Sequence, residues 1–370
     1  MKQFFALFVL ALLFCTALQA QEKEKGFPPM FSEQNGYITD MCLLYHGRYN
    51  AAVTYDKECM KSYVYYTDKK GKKEFLYDGF LILEIVSSNG SSFENSEKNA
   101  NQKEWQWLMN RQFEEGYGIS AINDILEDLS KENIKPERKR KVVISIPMPY
   151  YSDNVWGEVN GEKLVMNNDD HRIKAAKWYI NEAEKRFKEK NYKHIELAGF
   201  YWVFEKNIDA GNVMPVVSTY LDSKDYYFYW IPYFWSKGAK EWKEWGFDMA
   251  YYQPNYFFVK STKRGVPPTR IDEACAFART NGLAMEFEFD GNMLKDTLYQ
   301  TKFKHYVDHF TKNGVFDNVP VAYYEGGGYW NKIAISNDPN IIPLYRNLSE
   351  IIIKRQKKAD KMWKKIQKNR

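Results

Sequence analysis

From residue 40 to residue 327, stretches rich in β-branched and aromatic residues alternate with stretches of helical periodicity, and this alternation limits the fold more than any other feature. Eight segments carry strand character: DMCLLYHG (40–47), YDGFLILEI (77–85), KVVISIPMP (141–149), HIELAGFYWVFE (194–205), YFYWIPYF (227–234), DMAYYQPNYF (248–257), LAMEFEFD (283–290) and VPVAYYEGG (319–327). Helical stretches at 104–133, 173–191, 236–246, 270–282 and 294–314 precede the third, fourth, sixth, seventh and eighth of them. Alternation calls for a parallel sheet covered by helices, and eight repeats call for closure into a (β/α)8 TIM-type barrel. A doubly wound open sheet is the alternative. It loses weight because no GxGxxG or GxxxxGK[ST] turn follows the first strand. EGGGYW (325–330) is glycine-rich but lacks a phosphate-binding lysine, and reads as a flexible barrel rim.

The chain divides into an export signal (1–20), a linker (21–36), the barrel (37–353) and a basic helix end (354–370). Lys2, the apolar run Phe4 to Leu18 and the small-residue stretch ending at Ala20 form the export signal. The expected compartment is periplasmic or extracellular; a retained anchor is the alternative. No later stretch approaches the roughly 18 apolar residues of a membrane span, so no membrane insertion is expected after signal removal. Cys42, Cys59 and Cys275 then remain, an odd number without a CxxC pair. A Cys42–Cys59 bridge is conceivable, but neither a disulfide framework nor a zinc site is indicated. The net charge of +5 includes the tail KRQKKADKMWKKIQKNR, read as a solvated helix end and not as a nucleic-acid surface.

In LAMEFEFD, Glu286, Glu288 and Asp290 sit at period two, so in a strand all three carboxylates share a face. Inside a closed barrel that face would be costly unless it borders a wet, functional cavity. The Met285-Phe287-Phe289 face suits packing beneath helices, which turns the acids inward. Barrel active sites lie at the carboxyl ends of the strands. Those ends deliver Glu205 after the fourth strand, Gln253 and Asn255 after the sixth, and Tyr324 and Glu325 after the eighth. Carboxylates among amides and aromatic rings are what glycoside hydrolysis needs, without metal or cofactor. Aromatics make up 17% of the chain, with 28 Tyr and 11 Trp, enough to supply rings on which sugars stack.

The expected catalytic residues are Glu205 as acid/base, Glu288 as nucleophile and Glu286 as a supporting acid. His46, Trp156, Trp202, Tyr233, Gln253, Asn255, Asp290 and Tyr324 are expected to bind an oligosaccharide or polysaccharide, with Trp235 a further stacking candidate. Two other readings stand beside this one. A non-catalytic carbohydrate-binding barrel would keep the same residues for binding alone. A metal-dependent hydrolase would use His46, Asp78, Asp170 and His171, although no HxH or HExxH spacing is present.

The phrases DMCLLYHG, YDGFLILEI, ELAGFYWVFE, YWIPYFW, WGFDMAYYQPNYFF and LAMEFEFD, in this order, resemble the bacterial domain of unknown function numbered 4855 over nearly the whole mature chain. That resemblance implies a barrel of the kind found among carbohydrate-processing proteins. A looser similarity, to clan A glycoside hydrolases, implies an acid/base after strand four and a nucleophile on strand seven, places held here by Glu205 and by Glu286 or Glu288. Phe204 stands where that clan has Asn before the acid, so a sugar 2-hydroxyl contact is expected from elsewhere, with Asn255 the candidate.

Overall fold

The computed structural model describes residues 25–46, 53–94, 98–206, 212–258 and 265–369. The expected export signal, 1–20, lies outside them. Eight parallel strands close into one barrel: β1 (Asp40–Tyr45), β2 (Gly79–Leu83), β3 (Arg140–Ile146), β4 (Ile195–Trp202), β5 (Tyr227–Trp230), β6 (Met249–Tyr252), β7 (Ala284–Glu288) and β8 (Val321–Tyr324). Each pairs with its sequence neighbours, and β8 returns to β1 with Asp40, Met41 and Cys42 opposite Val321, Ala322 and Tyr323. All eight segments expected from the sequence are present. The protein is an α/β (β/α)8 barrel.

The helices are α1 (Lys57–Val64), α2 (Gln102–Gln112), α3 (Gly118–Lys131), α4 (Asp169–Lys190), α5 (Val213–Asp222), α6 (Thr269–Asn281), α7 (Thr297–Lys312), α8 (Val315–Asn318), α9 (Tyr329–Ala334) and α10 (Ile341–Lys368). The stretch 104–133 is two helices, the first opened by a capping box in which Asn101 accepts from the Lys103 and Glu104 amides while Glu104 accepts from Asn101. The expected helix at 236–246 is a chain of turns instead. Gly238 and Gly246 hold φ at 84° and 86°, which no helix continues, and Trp242 anchors the segment by donating to the Asn281 carbonyl at 3.1 Å. Two short hairpins, 65–75 and 155–165, lie outside the barrel.

Strands in a closed barrel touch backbone to backbone, and Gly199 marks the tightest place. A Cβ there would lie 2.0 Å from the Tyr227 carbonyl oxygen, so the β4–β5 contact admits no side chain. The pairing of β3 with β4 shifts register between Val142 and Val143, which sets the side-chain parity of the rest of β4.

A buried ionic network closes the amino-terminal end, and it draws on Arg355 and Gln356 of the stretch expected to be a solvated helix end, one face of which is buried against the barrel. From α10, Arg355 donates to Asp40 (2.7 Å) at the start of β1, to the Thr39 carbonyl (3.0 Å) just before it, to the Val319 carbonyl (2.8 Å) ahead of β8, and to the Val315 and Phe316 carbonyls. Asp40 also accepts from Tyr323 and Gln356, each at 2.8 Å. Asp78 accepts from the amides of Thr39 and Asp40 and from Arg138 at 2.5 Å. Residues ahead of β1 pack here too, with Met30 and Phe31 against Ala359 and Trp363 of α10. Removing one partner of a buried pair strands the other, so Arg355→Met should cost about 3–5 kcal/mol in urea unfolding. The double variant Arg355→Met/Asp40→Asn should recover a large part of that loss, a recovery that simple loss of packing would not give.

Candidate active site

At the opposite end, the carboxyl ends of the strands enclose a cavity of about 430 Å³. Parity decides what enters it. From β4 onward Tyr201, Val203 and Glu205 point in; Ile231 and Tyr233 follow β5; Gln253 and Asn255 follow β6; Glu286 and Glu288 come from β7 and Tyr324 from β8. Tyr45 closes the side contributed by β1, and Glu94 and Lys206 sit in flanking loops. A larger groove of about 940 Å³ lies between the hairpin 65–75 and α10, but none of its charged groups is buried.

Glu205 accepts from Gln253 Nε2 at 2.9 Å, and the same amide donates to the Ile231 carbonyl at 3.2 Å, so Gln253 fixes the carboxyl against the strand beside it. Burial pushes the Glu205 pKa up to about 7; the Gln253 bond opposes this, and neighbouring Glu94 adds to it. Glu288 is 1% exposed and accepts from the Tyr306 hydroxyl of α7, and the backbone amides of Asn255 and Tyr256 also reach it. Asn255 adopts φ 47°, a left-handed conformation that Asn tolerates, which turns this stretch of backbone towards Glu288. Burial still raises Glu288 to about 8, against those three donors. Glu286, 2% exposed, has an Oε1 with no hydrogen-bond partner, and burial beside Glu288 and Glu205 drives its pKa well above the usual range. The anionic charge of the β7 pair therefore rests first on Glu288, the member with donors.

Glu325, just past β8, shows the contrast. It is fully buried and accepts from the Gly328 and Trp330 amides and from the Tyr55 and Tyr63 hydroxyls. Its work is to pin the EGGGYW turn, which is held down and not the loose rim expected from its glycines.

Five expected sugar contacts are placed elsewhere. Trp202 is 1% exposed and packs on Phe228 beneath the helices; three residues from Glu205 in extended chain, it must face the other way. Trp156, in the hairpin 155–165, is buried against Trp105 and Trp178. His46 turns away from the cavity beneath Gly118, where a Cβ would meet its ring at 2.7 Å, and burial lowers its pKa to about 4. Asp290 caps the short turn Gly291–Leu294 by accepting from the Asn292 amide at 2.8 Å. Trp235 is exposed at the barrel end, beside Phe234 and Arg270, and does not line the cavity. Tyr233, Gln253, Asn255 and Tyr324 do line it, together with Glu205, Glu286 and Glu288. Tyr45 and Tyr201 were missed as contacts although strand parity alone points to both. Glu94 and Tyr306 carry no such signal, one lying in a loop and the other at a core-like helical position.

The metal-hydrolase set does not assemble. Asp78 is bound to Arg138 at the far end of the barrel, and the His171 ring lies by the Val165 backbone. Among the described residues no group of three or more His, Cys, Asp or Glu could hold a metal ion. Cys42, Cys59 and Cys275 are buried free thiols. No helix among the described residues is long and apolar enough to cross a membrane.

The sequence profile of the family described as Domain of unknown function (DUF4855) matches residues 40–350, from the first barrel strand into α10. The chain belongs to this family. No curated protein matches the DUF4855 chain. Among solved structures it is similar to the carboxyl transferase domain of Rhizobium etli pyruvate carboxylase, at 8% identity and a TM-score of 0.36, covering 91% of this chain and 49% of that one. It is also similar to the complete multifunctional pyruvate carboxylase of Rhizobium etli, at 9% identity and a TM-score of 0.35, covering 91% of this chain and 27% of that one. The DUF4855 chain thus spans less than half of either, and at these values the likeness says nothing about its reaction.

Because the folded pKa of Glu205 lies above its unfolded value of 4.5, the folded state holds this proton more tightly. The stabilisation from that proton is complete below about pH 4.5 and is lost as pH rises to about 7. Relative to wild type, Glu205→Gln should therefore gain about 3 kcal/mol across that window in urea titrations, and little beyond it. A constant difference between the two proteins at all pH values would place Glu205 in solvent.

Proposed function

We propose that this protein is an exported glycoside hydrolase of the retaining type, acting on a complex glycan. The observation that carries the reading is the convergence of Glu205 and Glu288 on one cavity at the carboxyl ends of the strands, where Gln253 holds one carboxyl and Tyr306 the other. Near pH 7 Glu205 is balanced between acid and base, as a group that must serve as both requires. Its proton goes to the glycosidic oxygen as the C–O bond breaks, while a Glu288 oxygen forms an ester bond to the anomeric carbon. Water then attacks that carbon, Glu205 takes the water's proton, and Glu288 leaves as carboxylate. Positive charge developing on the sugar ring favours ionised Glu288 beside it, offsetting the burial that raises its pKa in the empty cavity.

Glu286 lies deeper on the same strand face, is partnerless at Oε1 and is the supporting acid in this reading. Gln253, Asn255, Tyr233 and Tyr324 line the cavity, and in this reading the two amides meet hydroxyls and the two tyrosines contact sugar rings. Export to the periplasm or outside the cell belongs to the same proposal, resting on the Lys2–Ala20 sequence.

The test begins with a panel of plant, host and microbial glycans and a reducing-sugar readout. On an activated aryl glycoside of the sugar so found, Glu205→Gln should still form a glycosyl-enzyme adduct visible by mass, with turnover reduced about 10²–10⁴-fold. Glu288→Gln should form no adduct and show no turnover. Both variants hydrolysing like wild type would remove the catalytic assignment, and glycan binding without hydrolysis by wild type would make this a carbohydrate-binding barrel.

A further inference from the structure

Carboxylates dominate the cavity to a degree that hydrolysis alone does not require. Among the described residues its lining carries four, Glu94, Glu205, Glu286 and Glu288, against one ammonium, Lys206. Lys206 is exposed, its ammonium lies 5.5 Å from the Tyr233 ring, and its charge is felt by Glu94 and Glu205 but is not among the causes that act on Glu286. Two carboxylates suffice for retaining chemistry, and Glu205 and Glu288 each have donors on the protein. Glu286 does not: its Oε1 is sealed from bulk water and meets no donor. A buried carboxyl oxygen without a partner is costly in the empty protein, and a ligand that supplies the partner recovers that cost on binding. A neutral hydroxyl would supply the hydrogen bond alone. An ammonium would supply the bond and also relieve the repulsion among Glu205, Glu286 and Glu288, letting more of them ionise together. Tyrosine faces beside the acids, Tyr45, Tyr201 and Tyr324, add the aromatic surface that attracts a cation. An acidic sugar would add a further negative charge beside three acids whose ionisation is already opposed.

We infer that the cavity takes a sugar unit carrying a free primary amine, a de-N-acetylated hexosamine, with the ammonium against Glu286. The inference rests on the glycosidase reading for the sugar and on the orphaned Glu286 oxygen for the amine. It also sets the polarity of specificity. N-acetylation, which removes the charge and adds bulk, weakens binding, and uronic acids are excluded.

The experiment is calorimetric binding to the full chain carrying Glu205→Gln, which slows turnover and leaves Glu286 and Glu288 intact. The probes are glucosamine and galactosamine hexamers, their fully N-acetylated forms, a neutral glucose hexamer and a galacturonate hexamer, at about 0.15 M salt to suppress diffuse attraction. One of the amine hexamers should bind at least about tenfold more tightly than its acetylated form and than the neutral hexamer, and the uronate should not bind. Adding Glu286→Gln should bring the amine hexamer to within about threefold of the neutral one. Equal binding of amine and acetylated forms, tightest binding of the uronate, or an amine preference that survives Glu286→Gln would each overturn the inference. The acetylation comparison needs no change at Glu286 and so stands independently of how that variant folds. Reducing-sugar release by wild type separates the two claims: amine preference without release sinks the hydrolase and keeps the site, whereas release from neutral glycans without amine preference does the reverse.

Discussion

The guanidinium of Arg355 holds the seam on which the rest of the molecule depends. A barrel is a sheet whose last strand must find its first, and here those strands begin some 280 residues apart in sequence. Arg355 reaches the Asp40 carboxylate and the Thr39 carbonyl on one side of the seam and the Val319 carbonyl on the other. It can do so only because α10 crosses the amino-terminal end of the barrel, where Gln356 reaches Asp40 from the next position along the helix. Burying these charges is unfavourable in itself; meeting all three Arg355 nitrogens and both Asp40 oxygens makes it tolerable and fixes one register of closure. Closure fixes, in turn, which side chains face the interior at the other end.

That dependence explains what the sequence made legible. Eight strand-like segments separated by helical ones specify a closed parallel barrel without reference to any one residue, and each of the eight is a strand of it. The acidic face of β7 was legible for the same reason, since strict alternation from Met285 to Phe289 leaves one face for the helices and the other for the cavity. Trp202 and His46 were misplaced where alternation was not carried through. Glu205 and Trp202 cannot share a face of one extended segment, nor can Tyr45 and His46, and in both cases the inward member is the one that reaches the cavity. Trp156 and Asp290 failed differently. Both lie in chain that has left the barrel strands, where strand periodicity has no authority and local packing or capping decides. The run 236–246 looked helical from composition, yet two glycines with positive φ and one buried tryptophan outweigh its helix formers.

The two ends of the barrel treat buried carboxylates in opposite ways. At the amino-terminal end Asp40 and Asp78 each face an arginine, and Glu325, higher up but outside the cavity, is met by two amides and two hydroxyls. Such carboxylates are complete within the protein and have nothing left to offer a ligand. The cavity acids are graded: Glu288 has three donors, Glu205 has one strong amide donor, and Glu286 has an oxygen with none. Counting carboxylates would rank all of these residues alike, whereas asking where each one's hydrogen bonds go separates scaffold from site.

The same grading argues for Glu288 over Glu286 as nucleophile on grounds other than depth. A nucleophile must be an anion when substrate arrives, and of two coupled acids the one with more donors to its charged form ionises first. Tyr306 and the amides of Asn255 and Tyr256 all favour the Glu288 anion, and they come from α7 and from the turn after β6. Once Glu288 is charged, its field holds the proton on Glu286, which becomes a neutral donor towards the cavity instead of a second anion. A cation bound there would reverse that and draw the proton off. Both acids respond to what occupies the cavity, but only Glu288 has donors in the protein that favour its anion, so Glu286 depends on the occupant more.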